Sequence, residues 1–391
     1  MANVNKKEKI AALCGGTEII MKKLKIGLIG CGIMMKQHVL GADQIQSAQI
    51  VAVCDIIRER AEEVATVLNN PFITTDWREL TDKVDAVLIA LPHDLHYECG
   101  VYFARNKKHV LMEKPLCNSE EECRSLIDIC NEEGVTLMCA YPVPHYPAVR
   151  KLKEFIDSGE FGKVMQFSVW TEQLTVSDEV GWGSTARLGG GQFFSHGCHY
   201  VDLLLRMLGT PVKGFHVGTR NGTPWLRKEG TSAVIFEFEN GALGYHGATW
   251  GARGTQLGWR IQVQTEKGML EYVKTEGAKI KFYNKEKVHI PGTPVQLDDG
   301  EKEYQIIWDG EKSKGSLKYT YLEIDHFAEC VATGRKPITD GESALKSLQV
   351  IWELYDGEKH NIAPDLRKYA YTEEDRENYK NYIDAMNENG R

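Results

Sequence analysis

Three glycines lead into a group of polar side chains in residues 189–202, which read GGGQFFSHGCHYVD. The following spacing predicts a helix over 195–208, because apolar side chains recur on one stripe. That stripe consists of Val201, Leu204, Leu205 and Leu208. Ser195, His199 and Asp202 gather on the opposite face, where residues four apart are neighbours and Asp202 can lean toward His199. Histidine suits proton transfer near neutral pH, so His199 is a candidate general base.

A lysine follows an apolar strand pattern in KHVLMEKP (108–115). The proline after Lys114 makes a rigid turn that would aim the lysine side chain. A positive charge at this point could stabilise an alkoxide that develops on a substrate hydroxyl. Lys114 is therefore the second candidate for chemistry, although an ordinary exposed lysine is the simpler interpretation of composition alone.

A glycine loop in LKIGLIGCGIMM (24–35) predicts a nucleotide site. Gly30 and Gly32 supply the first two glycines of the G-x-G-x-x-G pattern, which lets the backbone approach a pyrophosphate. Met35 takes the third position, which should loosen helix–strand packing rather than abolish phosphate binding at the helix start. The predicted cofactor contacts along this loop are Gly30, Cys31, Gly32, Ile33 and Met34.

A carboxylate ends the next strand pattern, QIVAVCD, at Asp55, which is 25 residues after Gly30. This is close to the spacing of about 20 residues at which an acidic side chain holds the ribose hydroxyls. Because a carboxylate disfavours a 2′-phosphate, the predicted cofactor is NAD rather than NADP. Arg58 and Arg60 follow soon after and leave NADP open.

Strand patterns alternate with helical patterns up to about residue 143, with further strands predicted in 84–92, 108–115 and 134–141. This alternation predicts an α/β domain over 22–143 with a doubly wound parallel Rossmann sheet, preceded by an extension over 1–21. Ligands of such sheets bind beyond the carboxyl ends of the strands. The predicted cofactor residues at these ends are Leu91, Pro92, His93, His96, Glu113 and Lys114.

The pattern changes in the second part of the chain, over 144–391, to strands joined by turn signals such as ENGA. It predicts a mostly antiparallel sheet, followed by helices at 321–334 and 342–357. The tryptophans of this part suit sugar rings, although packing in the sheet core is an equally good interpretation of each one. The predicted substrate contacts are Tyr141, Trp182 and Arg187.

Charge and cysteine usage exclude several classes of protein. The 391 residues carry a net charge of −8 without a long basic run, which argues against nucleic-acid or acidic-membrane partners. No apolar stretch reaches the roughly 18 residues of a membrane span. Ten cysteines without a CxxC pair suggest no zinc knuckle and a reducing cytoplasm. Two pairs, His93/His96 and His196/His199, could meet around Zn²⁺, but without an HExxH motif or cysteine cluster no metal is predicted.

Together these segments resemble one family. GLIGCG…H (27–38), Asp55, LPxxxH (91–96), EKP (113–115) and GGGxxxxxGxHxxD (189–202) occur in the order found in the Gfo/Idh/MocA oxidoreductases. The resemblance implies a Rossmann domain and a second α/β domain whose large open sheet serves substrate binding and homo-oligomer formation. It also implies that Lys114 and His199 flank the nicotinamide, and that the Lys114–Pro115 bond is cis. Ser195 stands where the family often has aspartate, and the 141–147 segment lacks the family's arginine.

The residues and the resemblance lead to one main hypothesis, which is NAD-dependent oxidation of a secondary ring hydroxyl, at C3, of a sugar or glycoside. Lys114 and His199 are the predicted catalytic pair, with Ser195, His196 and Asp202 in support. One alternative is an NAD-retaining, redox-neutral glycosidase or lyase whose second base is Tyr141, Tyr200 or His196. Another is an NAD sensor without catalysis. The expected assembly is a homodimer, tetramer or hexamer.

Overall fold

The computed structural model describes residues 23–176, 189–284, 304–310 and 319–390. The predicted extension over 1–21 lies outside these residues. Six parallel strands form the first sheet, in the order β3-β2-β1-β4-β5-β6. They are β1 (Leu24–Ile29), β2 (Ala48–Cys54), β3 (Phe72–Thr74), β4 (Ala86–Ile89), β5 (His109–Glu113) and β6 (Leu137–Ala140). This order reverses direction between β1 and β4, as in dinucleotide-binding sheets, so the predicted Rossmann fold is confirmed.

Helices connect these strands and cover both faces of the sheet. They are α1 (Ile33–Val39), α2 (Arg58–Ala65), α3 (His96–Arg105) and α4 (Glu120–Glu133). Ser119 caps α4 by accepting from the backbone N–H of Glu122, and Gly134 ends it at φ 65°. Strand β3 was not among the predicted strands, because its three residues are too few to show a period.

Eight strands form the second sheet, in the order β14-β13-β12-β11-β7-β10-β9-β8. They are β7 (Val164–Glu172), β8 (Pro211–Thr219), β9 (Thr231–Phe238), β10 (Leu243–Thr249), β11 (Trp259–Thr265), β12 (Gly268–Val273), β13 (Lys279–Tyr283) and β14 (Gln305–Asp309). Only β7 and β10 pair in parallel within the described residues, so the predicted mostly antiparallel sheet is confirmed.

Five further helices follow in this part of the chain. They are α5 (Pro147–Ser158), α6 (Cys198–Leu208), α7 (Thr320–Thr333), α8 (Gly341–His360) and α9 (Glu373–Glu388). Helices α5, α6 and α8 pack on one face of the second sheet. The opposite face is open and carries exposed apolar side chains on neighbouring strands. These side chains are Phe215, Val217, Ile235 and Leu243. An uncovered apolar face of this kind is typical of an interaction surface.

Helix α7 crosses back to the first sheet. Its residues Ile324, Phe327 and Ala328 are buried in the same core cluster as residues of β1 and β2. The carboxylate of Asp325 accepts from the backbone N–H groups of Gln46 at 2.8 Å and Ser47 at 2.7 Å. The chain from 144 onward therefore completes the core of the part before it.

Nine of the ten cysteines lie in the described residues, and all nine are free and buried, as expected of small apolar side chains. None of the helices in the described ranges is both long and apolar enough to cross a lipid bilayer.

Candidate active site

The glycine loop after β1 leaves its backbone uncovered. Gly30 has φ 85°, and a Cβ atom there would lie 2.4 Å from the carbonyl oxygen of Ala90, so only glycine fits. A Cβ at Gly32 would meet no atom within 4 Å, and the side chain of Ile33 is 77% exposed. The backbone from Gly32 to Met34 is therefore accessible at the start of α1, whereas Gly30 and Cys31 are buried. This is the geometry in which such loops hold a pyrophosphate.

Asp55 lies at the end of β2 and bonds this loop. Its Oδ2 accepts from the backbone N–H of Cys31 at 2.7 Å, and its Oδ1 accepts from that of Ile57 at 2.8 Å. The side chain of Ile56 beside it is 85% exposed. Since each carboxylate oxygen has a second lone pair, Asp55 can still accept from ribose hydroxyls while it anchors the loop.

His96 joins two of the predicted strand ends. Its ring nitrogens lie 3.0 Å from the carbonyl oxygen of Leu91 and 2.9 Å from that of Pro115. The side chain has no exposed surface, and burial lowers its pKa. His96 was predicted to contact the cofactor, but a fully buried ring reaches a cofactor only through the two turns that it connects. His93 lies at the start of the same turn.

The turn after β5 carries the lysine. The Lys114–Pro115 bond is cis, as the resemblance implied. Glu113 is buried, with Oε1 at 2.7 Å from Nε2 of His38 and Oε2 accepting from the backbone N–H of Lys114 at 3.0 Å. The Lys114 amine donates to the carbonyl oxygen of Ser195 at 3.1 Å. Glu113 thus fixes the turn, and Lys114 connects the first sheet to the segment that carries His199.

The glycines at 189–191 have no room for side chains. A Cβ would lie 2.2 Å from Asn118 Oδ1 at Gly189, 2.3 Å from Phe194 Cβ at Gly190, and 2.1 Å from Glu229 Cδ at Gly191. This stretch is a tightly packed connection and not a flexible loop.

The segment after the glycines is not the regular α-helix over 195–208 that the spacing predicted. A π-helical turn spans Phe193–Gly197, and α6 continues from Cys198. Every residue of α6 is buried, so the predicted polar face does not contact solvent. Ser195 lies inside the π turn, and its backbone carbonyl accepts from the Lys114 amine. Single π turns within helices occur often at functional sites.

His199 lies on α6 with 8% of its surface exposed. Its ring meets that of Tyr141 edge-on at 5.5 Å and that of His196 at 5.8 Å. His196 is half-buried, and its Nδ1 lies 3.2 Å from the amide nitrogen of Gln192. The structure therefore groups His199, His196 and Tyr141, and the Lys114–Ser195 bond lies one turn earlier on the same helical segment.

The two tyrosines offered as second bases are poorly suited to that role. Burial raises the pKa of Tyr141 and of Tyr200. The Tyr200 hydroxyl also accepts from Nε1 of Trp259 at 2.6 Å. Since a phenol with a raised pKa stays protonated near neutral pH, His196 is the remaining candidate for a second base.

Asp202 does not pair with His199 as predicted. Its two oxygens accept from Nε and Nη2 of Arg206, each at 2.8 Å, and Oδ1 also accepts from the Tyr371 hydroxyl at 2.5 Å. Asp202 and Arg206 are buried. Arg206 takes this carboxylate because a guanidinium four residues along a helix bonds it in two places.

The predicted substrate contacts Trp182 and Arg187 lie outside the described residues. Within the residues that the structure describes, no group of three or more His, Cys, Asp or Glu side chains is arranged to hold a metal ion. The His93/His96 and His196/His199 pairs have ring separations of 5.6 and 5.8 Å.

Sequence reasoning missed Glu229, Tyr355 and Gln192, which surround the start of the π turn. Gln192 is fully buried, and its side-chain oxygen accepts from the Ser232 hydroxyl at 2.7 Å. No local pattern distinguishes Glu229 and Tyr355, because each one reaches the segment from a distant part of the chain. Gln192 directly precedes the π turn, and its role depends on the distant Ser232.

Two family models match the chain, and three individual proteins illustrate the similarity. D-xylose 1-dehydrogenase (NADP(+)) 2 of Haloferax volcanii is 26% identical over 88% of this chain and 100% of its own length. 2,7-Anhydro-N-acetylneuraminate hydratase of Escherichia coli is 27% identical over 48% of this chain and 50% of its own. A structure of levoglucosan dehydrogenase in complex with NADH has a TM-score of 0.75 at 20% identity, covering 88% of this chain and 99% of that one.

The family models cover the first sheet and most strands of the second. The model for the oxidoreductase family with an NAD-binding Rossmann fold matches residues 24–141, and the model for the GFO/IDH/MocA C-terminal domain matches 149–271. The matched ranges contain Gly30, Asp55, Lys114 and His199, the residues on which the resemblance was based. The chain is therefore a member of the GFO/IDH/MocA oxidoreductase family.

Proposed function

We propose that the protein oxidises a secondary ring hydroxyl of a sugar or glycoside with NAD as the hydride acceptor. The observation that carries this proposal is the bond between the Lys114 amine and the Ser195 carbonyl at 3.1 Å. It joins the lysine of the first sheet to the segment that carries His199. In this proposal the amine of Lys114 and the imidazole of His199, which come from two separate parts of the chain, serve one site at the carboxyl ends of the first sheet.

In this mechanism NAD, when bound, supplies the acceptor for the hydride that leaves the substrate carbon. His199 accepts the hydroxyl proton, for which an imidazole has a suitable pKa. Lys114 donates a hydrogen bond to the same oxygen and stabilises its developing negative charge. The polar network of Asp202, Arg206 and Tyr371 holds the helix that carries His199 in place.

The residues of the glycine loop fit a dinucleotide. Gly30 allows the tight turn against Ala90, Gly32 leaves room for a pyrophosphate, and the exposed Ile33 and Ile56 offer apolar surface beside it. We propose NAD rather than NADP because the carboxylate of Asp55 would repel a 2′-phosphate. Arg58, which could favour NADP, is bonded to Glu62 at 2.8 Å.

The substrate proposal rests on aromatic side chains near the two histidines. The ring of His196 lies 6.3 Å from that of Trp250, and Trp259 donates to Tyr200, the neighbour of His199. Indole rings offer the flat apolar surface on which sugar rings stack. Trp259, Trp182 and Arg187 are the proposed direct substrate contacts, with C3 of a glucoside as the proposed site of oxidation. Tyr141 and Trp250, which are 0% and 3% exposed, support the histidine rings from behind.

A substrate panel with a spectroscopic readout tests this proposal. The protein is incubated with NAD or NADP and, in turn, methyl β-D-glucopyranoside, D-xylose, myo-inositol and levoglucosan, while NADH absorbance is followed. We expect NADH to form with the glucoside, and the product to carry a ketone at C3 by NMR. If no sugar or polyol yields NADH or a modified product, the proposal is wrong.

A second candidate is a redox-neutral reaction in which the ring is oxidised, eliminated or hydrated, and reduced again. It is favoured by the similarity to a protein named as a hydratase, and by His196, which lies close enough to His199 to serve as a further base. Product that forms from an aryl β-glucoside without NADH accumulation would support this candidate over the first.

The open face of the second sheet is the proposed contact between copies of the chain. Phe215, Val217, Ile235 and Leu243 are each at least 46% exposed there. Burying these side chains against a second copy would remove a continuous apolar surface from water. Ile235→Lys should therefore reduce the assembled species in analytical ultracentrifugation, while an unchanged sedimentation coefficient would contradict this assignment.

A further inference from the structure

Helix α8 supports the start of the helical segment that carries His199. Trp352, Tyr355 and Glu358 are three residues apart, so they share one face of α8. The Trp352 ring lies 6.1 Å from that of Phe194, and the Tyr355 ring meets that of Phe193 edge-on at 5.6 Å. The π turn therefore rests on a row of α8 side chains that the proposed chemistry does not use.

Tyr355 and Glu229 form a hydrogen-bonded pair at this start. The Tyr355 hydroxyl donates to Oε1 of Glu229 at 2.5 Å and accepts from the backbone N–H of Phe194 at 3.1 Å and of Gly191 at 3.4 Å. The same Oε1 accepts from the backbone N–H of Phe193 at 3.2 Å. Three N–H groups at the start of the segment are thus bonded to one phenol and one carboxylate.

Two glycines make room for the carboxylate of this pair. A Cβ at Gly191 would lie 2.1 Å from Cδ of Glu229, and a Cβ at Gly218 would lie 2.8 Å from its Cγ. The last glycine of the GGG motif is therefore required by a residue 38 positions further along the chain. This close packing holds Glu229 in one place.

The charge of Glu229 suits its position. The first N–H groups of a helix have no partner within it, and their partial positive charge favours an anion. A buried phenol alone would satisfy these donors without charge, whereas the carboxylate also attracts them. Burial and the neighbouring Glu229 raise the pKa of Tyr355, so its hydroxyl remains a donor.

Residues 191–194, which Glu229 and Tyr355 bond, directly precede the partners of the proposed catalytic groups. Phe194 precedes Ser195, whose carbonyl oxygen receives the Lys114 amine at 3.1 Å. Gln192, whose backbone N–H donates to the carbonyl oxygen of Glu229 at 2.8 Å, places its side chain 3.2 Å from His196. A shift of residues 191–194 would therefore move the bond partner of Lys114 and the neighbour of His196 together.

We propose that Glu229 and Tyr355 are positioning residues for the active site. They hold the π turn so that Lys114 and His199 both bond the same substrate hydroxyl. Glu229 and Tyr355 themselves contact neither substrate nor cofactor. The claim that this pair affects turnover rests on the proposed function, whereas the claim that it anchors residues 191–194 does not. Two measurements separate these parts.

The first measurement is amide hydrogen exchange in a peptide spanning 189–199. Tyr355→Phe removes the hydroxyl and nothing else, so exchange in this peptide should become several-fold faster. The matched control is Tyr369→Phe, because the Tyr369 hydroxyl also bonds a carboxylate, Oε1 of Glu353 at 2.6 Å, at another place on α8. Exchange in 189–199 that is the same in both variants and the native protein would overturn the proposal.

The second measurement is steady-state oxidation of methyl β-D-glucopyranoside. Tyr355→Phe should lower kcat about tenfold, since a displacement of about 1 Å costs up to 10²-fold in rate. The KM for NAD should stay within twofold, because the pair does not line the glycine loop. Glu229→Ala should lower kcat at least as far, and Glu229→Gln, which keeps an oxygen acceptor, should recover most of it.

The outcomes are distinguishable. Faster exchange with unchanged kcat would show that the pair holds the segment but does not position the reaction, which overturns the proposal. An equal loss of kcat in Tyr369→Phe would also overturn it. If the native protein oxidises no sugar, the proposed function fails, and a normal exchange rate in Tyr355→Phe would then reject the pair independently.

Discussion

The site has a cofactor side, around Gly30 and Asp55, and a substrate side, around His199 and Asp202. The hydrogen bonds within each side span very different distances along the chain. Asp55 bonds Cys31, which is 24 residues away, and Ile57, which is two residues away. On the other side, Glu229 bonds Phe193 from 36 residues away, and Tyr371 bonds Asp202 from 169 residues away. The cofactor side therefore depends on neighbouring strand ends, while the substrate side depends on the whole second sheet and its helices.

This difference suggests how sequence changes can affect the substrate side while the cofactor side is preserved. A strand–loop–strand unit can be kept intact while the rest of the chain changes, so it suits a common cofactor. The helical segment of His199 has its supports spread over the second part of the chain, so changes there can reshape the substrate site. Four predictions test this division, beginning with the largest effect.

Replacing either member of the proposed catalytic pair should have the largest effect. Lys114→Met and His199→Asn should each lower kcat by about 10²–10⁴-fold, because each removes a group that moves a proton or stabilises charge. Binding of NAD, followed by fluorescence titration, should remain.

Lys108→Met is the control, since Lys108 also donates to a backbone carbonyl, that of Val84, at 3.0 Å. Loss of NAD binding together with turnover in His199→Asn would mean that the two sides of the site are not separable.

Removing Asp202 should destabilise the substrate side. Asp202→Ala leaves the buried Arg206 without its carboxylate, which typically costs about 3–5 kcal/mol of the free energy of unfolding. The exposed pair of Lys213 and Glu237 gives the comparison, because Glu237→Ala should cost less than about 1 kcal/mol. Equal losses in urea titrations would contradict the structural role assigned to Asp202.

Changing Asp55 should affect the cofactor side alone. Asp55→Ala removes the carboxylate to which the backbone N–H groups of Cys31 and Ile57 donate, and each of these bonds is worth about 1.5–3 kcal/mol. Because the glycine loop loses this support and the ribose loses its acceptor, kcat/KM for NAD should fall about tenfold or more. The preference for NAD over NADP should also shrink. Asp76→Ala serves as the control, because Asp76 bonds the backbone of Arg78 beyond the next strand. An unchanged ratio of the two cofactors would reject Asp55 as their discriminator.

Acid should weaken the second part of the chain through its buried histidines. Burial lowers the pKa of His246 and of His326 to about 3 from the ordinary value of about 6.5. Because the folded state keeps them neutral, stability is complete above pH 6.5 and declines as the pH falls from there toward 3. The loss is about 1.4 kcal/mol per histidine for each pH unit. His246→Gln should flatten the dependence of unfolding free energy on pH between 6.5 and 5, and an unchanged slope would contradict this assignment.

The cofactor side could be predicted from the sequence because its parts are local. Gly30, Asp55 and Lys114 each follow a short apolar strand, and the parallel order of the strands brings their carboxyl ends to one edge. The parallel first sheet, apart from its short strand β3, and the mostly antiparallel second sheet both agree with the predictions from periodicity.

The substrate side could be predicted only in outline. The spacing of Asp202 fits His199 and Arg206 almost equally, and the choice of Arg206 follows from its two-point bonding and from Tyr371, which no spacing indicates. The π turn adds a residue to one helical turn, which a period of 3.6 cannot represent. Glu229 and Tyr355 belong to the site only because the second sheet brings them there.

Because α7 packs on the first sheet, the first sheet and its helices cannot be separated from the rest of the chain as a complete domain. A fragment that ended near residue 143 would lack Ile324, Phe327 and Asp325, and would leave the N–H groups of Gln46 and Ser47 without their carboxylate. The nucleotide-binding half therefore needs residues synthesised more than 170 positions later before it is complete. During translation, dinucleotide capture should come after α7 has left the ribosome.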